Sequence, residues 1–110
     1  MTEIKKLWKP ELPPYPKEDI SLICGEASAR LREVCCCFWL FRYLHRFEEP
    51  LSALMGDYCF GQFSHHLTEL DSVPITDAFA EYLRRDALSD AGLSAYVEFV
   101  QSLEQCHEYT

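Results

Sequence analysis

The sequence predicts an all-α protein that folds as a compact bundle of about four helices. In successive segments, large apolar residues recur at the i, i+3, i+4, i+7 spacing of a helix with one buried face. No segment shows the alternation of apolar and polar residues typical of a half-buried strand, and no Asn-Gly hairpin turn occurs. The segments between the helical patterns are short, as they are in bundles of antiparallel helices.

Residues 1–17 form a proline-rich N-terminal arm, and residues 18–110 are predicted to form a single helical domain. The prolines of the arm are Pro10, Pro13, Pro14 and Pro16. They argue against a regular helix in the arm, because proline lacks the backbone N–H and pushes the preceding residue toward extended conformations. The sizeable apolar anchors of the arm are Trp8, Leu12 and Tyr15. We therefore expect the arm to lie over the body of the protein or over a partner.

A first helical pattern begins at Asp19, a candidate N-cap, and continues to Phe41. Its second half, residues 34–44, is apolar almost all round. Eleven residues are too few to cross a bilayer, and Arg42 lies among them, so a transmembrane helix is not expected. A domain this small is not expected to bury so many large side chains, and part of this surface should contact another protein. The side chains concerned are Phe38, Trp39, Leu40, Phe41 and Tyr43.

The central segment, Leu51 to Leu70, predicts the helix around which the chain is arranged. Its predicted buried face consists of Leu51, Leu54, Met55, Tyr58, Phe63, Leu67 and Leu70. Small residues run along much of the other side, namely Ala53, Gly56, Gly61 and Ser64. Each glycine costs roughly 1 kcal/mol relative to alanine inside a helix. The two glycines therefore predict the close approach of another backbone, either from a neighbouring helix or from a partner chain.

Two more helices are predicted after this segment. Ser72 is a candidate N-cap, and Pro74 is tolerated in the first turn of a helix over about 74–87. The inward face of that helix is predicted to contain Ile75, Ala78, Phe79, Tyr82 and Leu83. Ser89 or Asp90 can cap a last helix over about 90–107. Its predicted inward residues are Leu93, Tyr96, Val97, Val100 and Leu103.

The charge of the chain restricts its partners. The formal net charge is -8, and after residue 46 only Arg84 and Arg85 are basic. Nucleic acids and anionic membrane surfaces select lysine and arginine, so neither is an expected partner. The acidic C-terminal half is typical of a self-repelling surface in water.

The six cysteines predict free, packed thiols. Cys35, Cys36 and Cys37 are consecutive, and no C-x-x-C pair of the kind found in zinc sites occurs. Helical neighbours point roughly 100° apart, so the three cannot converge on one ion. No apolar h-region of a signal peptide begins the chain. We expect a cytoplasmic protein with reduced thiols and no metal site.

No catalytic residues are predicted. The sequence has no glycine-rich phosphate loop, no G-x-S-x-G and no H-E-x-x-H. His65 and His66 are adjacent and cannot share a metal through one helix face. A cysteine- or metal-dependent enzyme would require convergent cysteine and histidine side chains and a thiol of low pKa.

One short motif resembles a known family. Leu54-Met55-Gly56-Asp57-Tyr58 is similar to the (L/A)-x-G-D-(Y/F) segment of the all-α trans-polyprenyl diphosphate synthases. Tyr43-Leu44-His45 resembles the helix end that precedes the D-D-x-x-D motif of those enzymes, and 74–80 resembles the start of their next helix. In place of D-D-x-x-D, this chain has Arg46-Phe47-Glu48-Glu49-Pro50, and the second aspartate-rich motif is missing.

The resemblance implies a function without catalysis. In the family, the aspartates bind the magnesium ions that hold the diphosphate. A chain without them resembles the small, non-catalytic regulatory subunit of heterodimeric hexaprenyl or heptaprenyl diphosphate synthases. The implied role is to pair with a catalytic subunit, the only one expected to carry magnesium, and to help set product chain length. The implied fold is a truncated isoprenoid-synthase fold.

A partner interface is predicted on the two central helices. Its candidate residues are Phe38, Trp39, Tyr43, Ala53, Gly56, Asp57, Phe60 and Gly61. The alternative is a small helical adaptor that binds an unrelated protein.

Overall fold

The computed structural model describes the backbone of residues 2–86 and 92–108 and the side chains of 4–85 and 92–105. These residues are helical apart from their connections, and none of them lies in a strand, which confirms the predicted all-α class. The Cα radius of gyration of 13.4 Å matches the value of about 13 Å expected for a compact chain of this length. The helices of the described residues are α1 (Thr2–Lys6), α2 (Lys17–Glu26), α3 (Ala29–Leu44), α4 (Pro50–Leu70), α5 (Val73–Asp86) and α6 (Leu93–Glu108).

The first predicted helix is two helices. Ala27, with φ -110° and ψ 140°, and Ser28, with φ -63° and ψ 165°, are both extended and separate α2 from α3. The backbone N–H of Ser28 donates a hydrogen bond to the carboxylate of Glu104 on α6. The apolar spacing continues across the break, so the spacing could not reveal the break. The break allows α2 to contact both α3 and α6.

The N-terminal arm also differs from its prediction. The five-residue helix α1 forms before the first proline, so a helix is absent only from residues 7–16. Ile4 and Leu12 are buried in the core. The hydroxyl of Tyr43 on α3 donates a hydrogen bond of 2.6 Å to the carbonyl of Pro14. The expectation that the arm lies over the body of the protein is confirmed.

Helix α3 is the centre of the core. All of its residues from Val34 to Leu40 are buried. The ring of Phe38 contacts the rings of Phe79 on α5 and Tyr96 on α6, at centroid distances of 5.2 and 5.8 Å. Of the five large side chains that were not expected to be buried together, Phe38, Trp39 and Leu40 are buried, because aromatic residues of α5 and α6 cover this part of α3. The other two, Phe41 and Tyr43, are half-buried.

Helix α4 follows its predicted buried face only in part: Phe63 is buried and Leu51, Met55, Leu67 and Leu70 pack half-buried against the core. Its buried residues are Ser52, Gly56, Cys59 and Phe63. Leu54 and Tyr58, which were predicted to be buried, are 66% and 40% exposed. Small residues allow α4 to lie close against the bulky surface of α3, and the larger residues are displaced to the flank of α4.

The second half of the chain follows its prediction closely. Asp71 ends α4 in the left-handed conformation at φ 52°, and the Ser72 hydroxyl accepts a hydrogen bond of 3.4 Å from the Ile75 N–H at the start of α5. All the predicted inward residues of α5 and α6 are buried or half-buried. The predicted caps Ser89 and Asp90 lie outside the described residues. Among the helices that are described, none has both the length and the apolar character needed to cross a bilayer.

Tyr96 provides a test of this packing. Its side chain is fully buried, and its hydroxyl donates a hydrogen bond of 2.6 Å to the Cys35 carbonyl. Tyr96→Phe should lower the free energy of unfolding by about 1 kcal/mol, because a buried hydrogen bond is lost without a change of shape. Urea denaturation with an unchanged m-value measures the effect. The control Tyr58→Phe changes an exposed ring and should stay within about 0.5 kcal/mol of the wild type. Equal stability of the two variants would contradict the assigned role of the Tyr96 hydroxyl.

Candidate functional site

The junction of α3 and α4 carries the residues of the G-D-Y motif. His45, at the end of α3, places its ring over Gly56, and its Nε2 lies 3.0 Å from Oδ1 of Asp57. The two side chains are 39% and 70% exposed, so water screens the pair and it contributes little to stability. A Cβ added at Gly56 would lie 2.7 Å from His45 Nε2, so any larger residue at this position must displace the His45 ring. The close approach at Gly56 is therefore made by a side chain of the same chain, and not by another backbone as predicted.

Aromatic rings extend this junction along the same flank of α4. Phe41 contacts His45 at a ring-centroid distance of 5.0 Å and Phe60 at 4.7 Å. Phe60 is 39% exposed, and Asp57 and Gly61 are exposed as well. Nothing lies within 4 Å of the position that a Gly61 Cβ would occupy. The place of Asp57, Phe60 and Gly61 in a partner interface stays a prediction.

Three of the five remaining predicted interface residues are covered by this chain. Phe38 and Trp39 are 0% and 4% exposed, and a stacked Tyr96 ring covers both. Gly56 is buried under His45. These three residues present no surface to another protein in this structure, because the core of the domain already uses them. The other two predicted residues are half-buried, namely Tyr43 and Ala53.

An apolar groove that the sequence analysis did not identify lies between the N-terminal arm and α4. It is open to solvent and has a volume of about 290 Å³. Three of its large apolar lining residues are substantially exposed: Leu7 at 45%, Leu54 at 66% and Tyr58 at 40%. The others are Lys9, Leu12, Leu51 and Met55. Leu51, Leu54, Met55 and Tyr58 have the i, i+3, i+4, i+7 spacing, so the sequence contained this surface, but their face was predicted to be internal.

One group of described residues has the composition of a metal site. Glu33 and Cys37 on α3 and His66 on α4 each offer a ligand atom, and these atoms lie within 4.8 Å of one another. Cys37 and His66 thus converge. A cysteine- or metal-dependent enzyme requires such convergence of a cysteine and a histidine. The sequence signals only one part of this group, the spacing of Glu33 and Cys37, which lie one turn apart on a helix.

The buried thiols of the described residues are not activated as nucleophiles. The five cysteines whose side chains are described are free, and four of them are buried. Burial raises the pKa of Cys37 to about 12, and the nearby Glu33 carboxylate adds to the effect. Burial also raises the pKa of Cys59 to about 12. Without a metal, both thiols are protonated at neutral pH, whereas a nucleophilic cysteine needs a lowered pKa.

Comparisons of the chain with family models, with curated proteins and with solved structures give no match.

The two glycines of α4 give a paired test of this geometry. Gly61→Ala should raise the free energy of unfolding by about 0.5–1 kcal/mol, because alanine favours the helix and its methyl group meets no other atoms. Gly56→Ala should raise the free energy of unfolding by less, because its methyl group must displace the His45 ring from Asp57. Chemical denaturation measures both effects, and NMR of the histidine rings reports the position of His45. Equal gains, with His45 signals unchanged in Gly56→Ala, would contradict the placement of His45.

Proposed function

We propose that this chain is a non-catalytic subunit that pairs with a catalytic polyprenyl diphosphate synthase and helps to set the length of its product. The observation that carries the proposal is the position of Leu54 and Tyr58. Both belong to the five-residue segment that resembles the synthases, and both are exposed beside the apolar groove. The segment that suggests the family therefore also supplies a surface for a partner.

The groove suits a helix of the partner. Exposed apolar surface that is continuous over several residues is typical of protein–protein contacts. Leu54 and Tyr58 lie one turn apart on α4, and Leu7 faces them from the arm, so an amphipathic helix can lay its apolar side between them. The synthases of this family are all-α, so a helix is the element that a catalytic subunit would present. Tyrosine is among the residues that most often dominate binding energy.

The carboxylates of the junction support a role without catalysis. Magnesium-dependent ionisation of a diphosphate needs several carboxylates that converge on the metal and its phosphate oxygens. The sequence has no aspartate pair after His45, and Asp57 is directed to the His45 ring at 3.0 Å. In the proposed complex, the catalytic subunit holds the magnesium and the diphosphate.

The chain alone should form no product. Purified chain, incubated with an allylic diphosphate, isopentenyl diphosphate and Mg²⁺, is expected to give no prenyl chain elongation by product analysis. The test sample is the purified chain, from which chromatography has removed the synthases of the expression host. Elongation that co-purifies with the chain would overturn the assignment of a non-catalytic subunit.

A complex with the catalytic subunit should form and should depend on Leu54. Co-expression with the catalytic subunit of a heterodimeric hexaprenyl or heptaprenyl diphosphate synthase is expected to give a co-purifying complex whose product length differs from that of the catalytic subunit alone. Leu54→Gln should weaken the complex roughly 5- to 150-fold, corresponding to about 1–3 kcal/mol for an apolar anchor. Titration calorimetry measures the change.

Val73→Gln is the matched control for this variant. Val73 begins α5 at 72% exposure and does not line the groove, so its substitution removes a similar apolar side chain from a different surface. Its affinity for the partner should equal that of the wild type. If no complex forms with the catalytic subunit of a hexaprenyl or of a heptaprenyl diphosphate synthase, the synthase proposal fails. The chain is then interpreted as an adaptor that binds an unrelated protein. If Val73→Gln weakens the complex as much as Leu54→Gln does, the groove is not the docking surface.

A further inference from the structure

We propose that Glu33, Cys37 and His66 form a binding site for a zinc ion that joins α3 to α4. The inference does not depend on the proposed function, because it rests on a different group of residues. Glu33 and Cys37 stand one turn apart on α3, and His66 reaches them from α4. Their three possible ligand atoms lie within 4.8 Å of one another.

The separation of these atoms is close to that of a bound zinc ion. Zinc bonds of about 2.0–2.3 Å place tetrahedral ligand atoms roughly 3.3–3.8 Å apart. Movements of about 1 Å by the Glu33 carboxylate and the His66 ring toward Cys37 Sγ close the difference. Glu33 and His66 are half-buried, whereas Cys37 is fully buried and fixes the deep side of the site.

The ligand types favour zinc over other common metal ions. One sulfur, one imidazole nitrogen and one carboxylate oxygen form a mixed set of the kind that tetrahedral zinc accepts. Magnesium and calcium take oxygen ligands, so a deep cysteine makes them poor occupants. Copper(I) selects softer sets with more sulfur.

The charges of the proposed site balance. When zinc binds, the Cys37 thiol releases its proton to solvent, and the resulting thiolate forms the Sγ–Zn bond. One thiolate and one carboxylate then neutralise the two positive charges of the ion, while His66 binds as a neutral imidazole. A neutral assembly is what a partly buried position requires, because an uncompensated buried charge is costly.

A cavity leaves room for a fourth ligand. It has a volume of about 390 Å³ and is lined by Arg30, Glu33, His66, Glu69 and Leu70. Three protein ligands leave one position of a tetrahedral zinc ion open to the cavity. A water molecule or an anion beside the Arg30 guanidinium can occupy that position. The site is therefore a three-ligand zinc site with an open coordination position rather than a closed structural one.

Cobalt(II) titration of the full-length, reduced and metal-free chain tests the site. Cobalt(II) replaces zinc in tetrahedral sites, and a thiolate ligand gives it a near-ultraviolet charge-transfer band. We expect saturation at one equivalent of cobalt, visible bands of tetrahedral intensity, a charge-transfer band, and displacement of all of them by zinc. Zinc should also raise the thermal midpoint of the wild type, because it binds the folded chain.

Variants of the three ligands have matched controls in the same helices. Cys37→Ser should abolish the charge-transfer band, whereas Cys59→Ser, which changes another buried thiol, should keep it. His66→Ala should weaken cobalt binding more than about tenfold, while His65→Ala, at the adjacent exposed position, should leave it unchanged. If Cys37→Ser does not fold, Glu33→Gln and His66→Ala still test the site, because both positions are half-buried.

Three results would overturn the proposal. The first is the absence of saturable cobalt binding by the wild type. The second is a charge-transfer band that persists in Cys37→Ser, which would assign the metal to other thiols. The third is an equal loss of binding in His65→Ala and His66→Ala. Circular dichroism of each variant establishes that the comparison is made between folded chains.

Discussion

The structure depends on the complete burial of the second half of α3. From Val34 to Leu40 this helix has no solvent-exposed face, so other parts of the chain must cover it on every side. Helices α2 and α4 pack directly on it, and aromatic rings of α5 and α6 cover Phe38 and Trp39. A helix that is apolar all round is stable in water only when it is surrounded. The short chain satisfies this requirement by itself, because it devotes large aromatic side chains of its last two helices to the task.

The packing of α3 decides which face of α4 remains outside. The surface of α3 is bulky, so the first half of α4 approaches it with Ser52, Gly56 and Cys59, and the large ring of Phe63 packs against Phe38 farther along. Leu54 and Tyr58 are thereby displaced to the flank, where they form the groove with the N-terminal arm. The apolar groove is thus a consequence of core packing: the large residues of α4 that do not fit against α3 become the surface that the proposed partner contacts.

The sequence predicts elements well and the relations between elements poorly. Periodicity and caps are local, so α4 and α5 were placed within about one residue, and Ser72 was correctly identified as a cap. The break at Ala27 was missed because the apolar spacing continues across it and the Glu104 contact comes from a distant part of the chain. The rotation of α4, and hence the exposure of Leu54, depends on the shape of its neighbour. The convergence of Cys37 and His66 depends on the same rotation, which no single-helix pattern contains.

The contact between α3 and α4 therefore connects the two proposals. At one end, His45 covers Gly56 and lies beside Asp57, but both partners are exposed and their pairing is weak. The proposed zinc site spans the same two helices through Cys37 and His66, nearer to the start of α3. A metal ion that bonds to both helices resists rotation of one against the other far more strongly than a solvent-screened pair does. It would consequently hold α4 in the orientation that keeps the large residues of the groove at the surface.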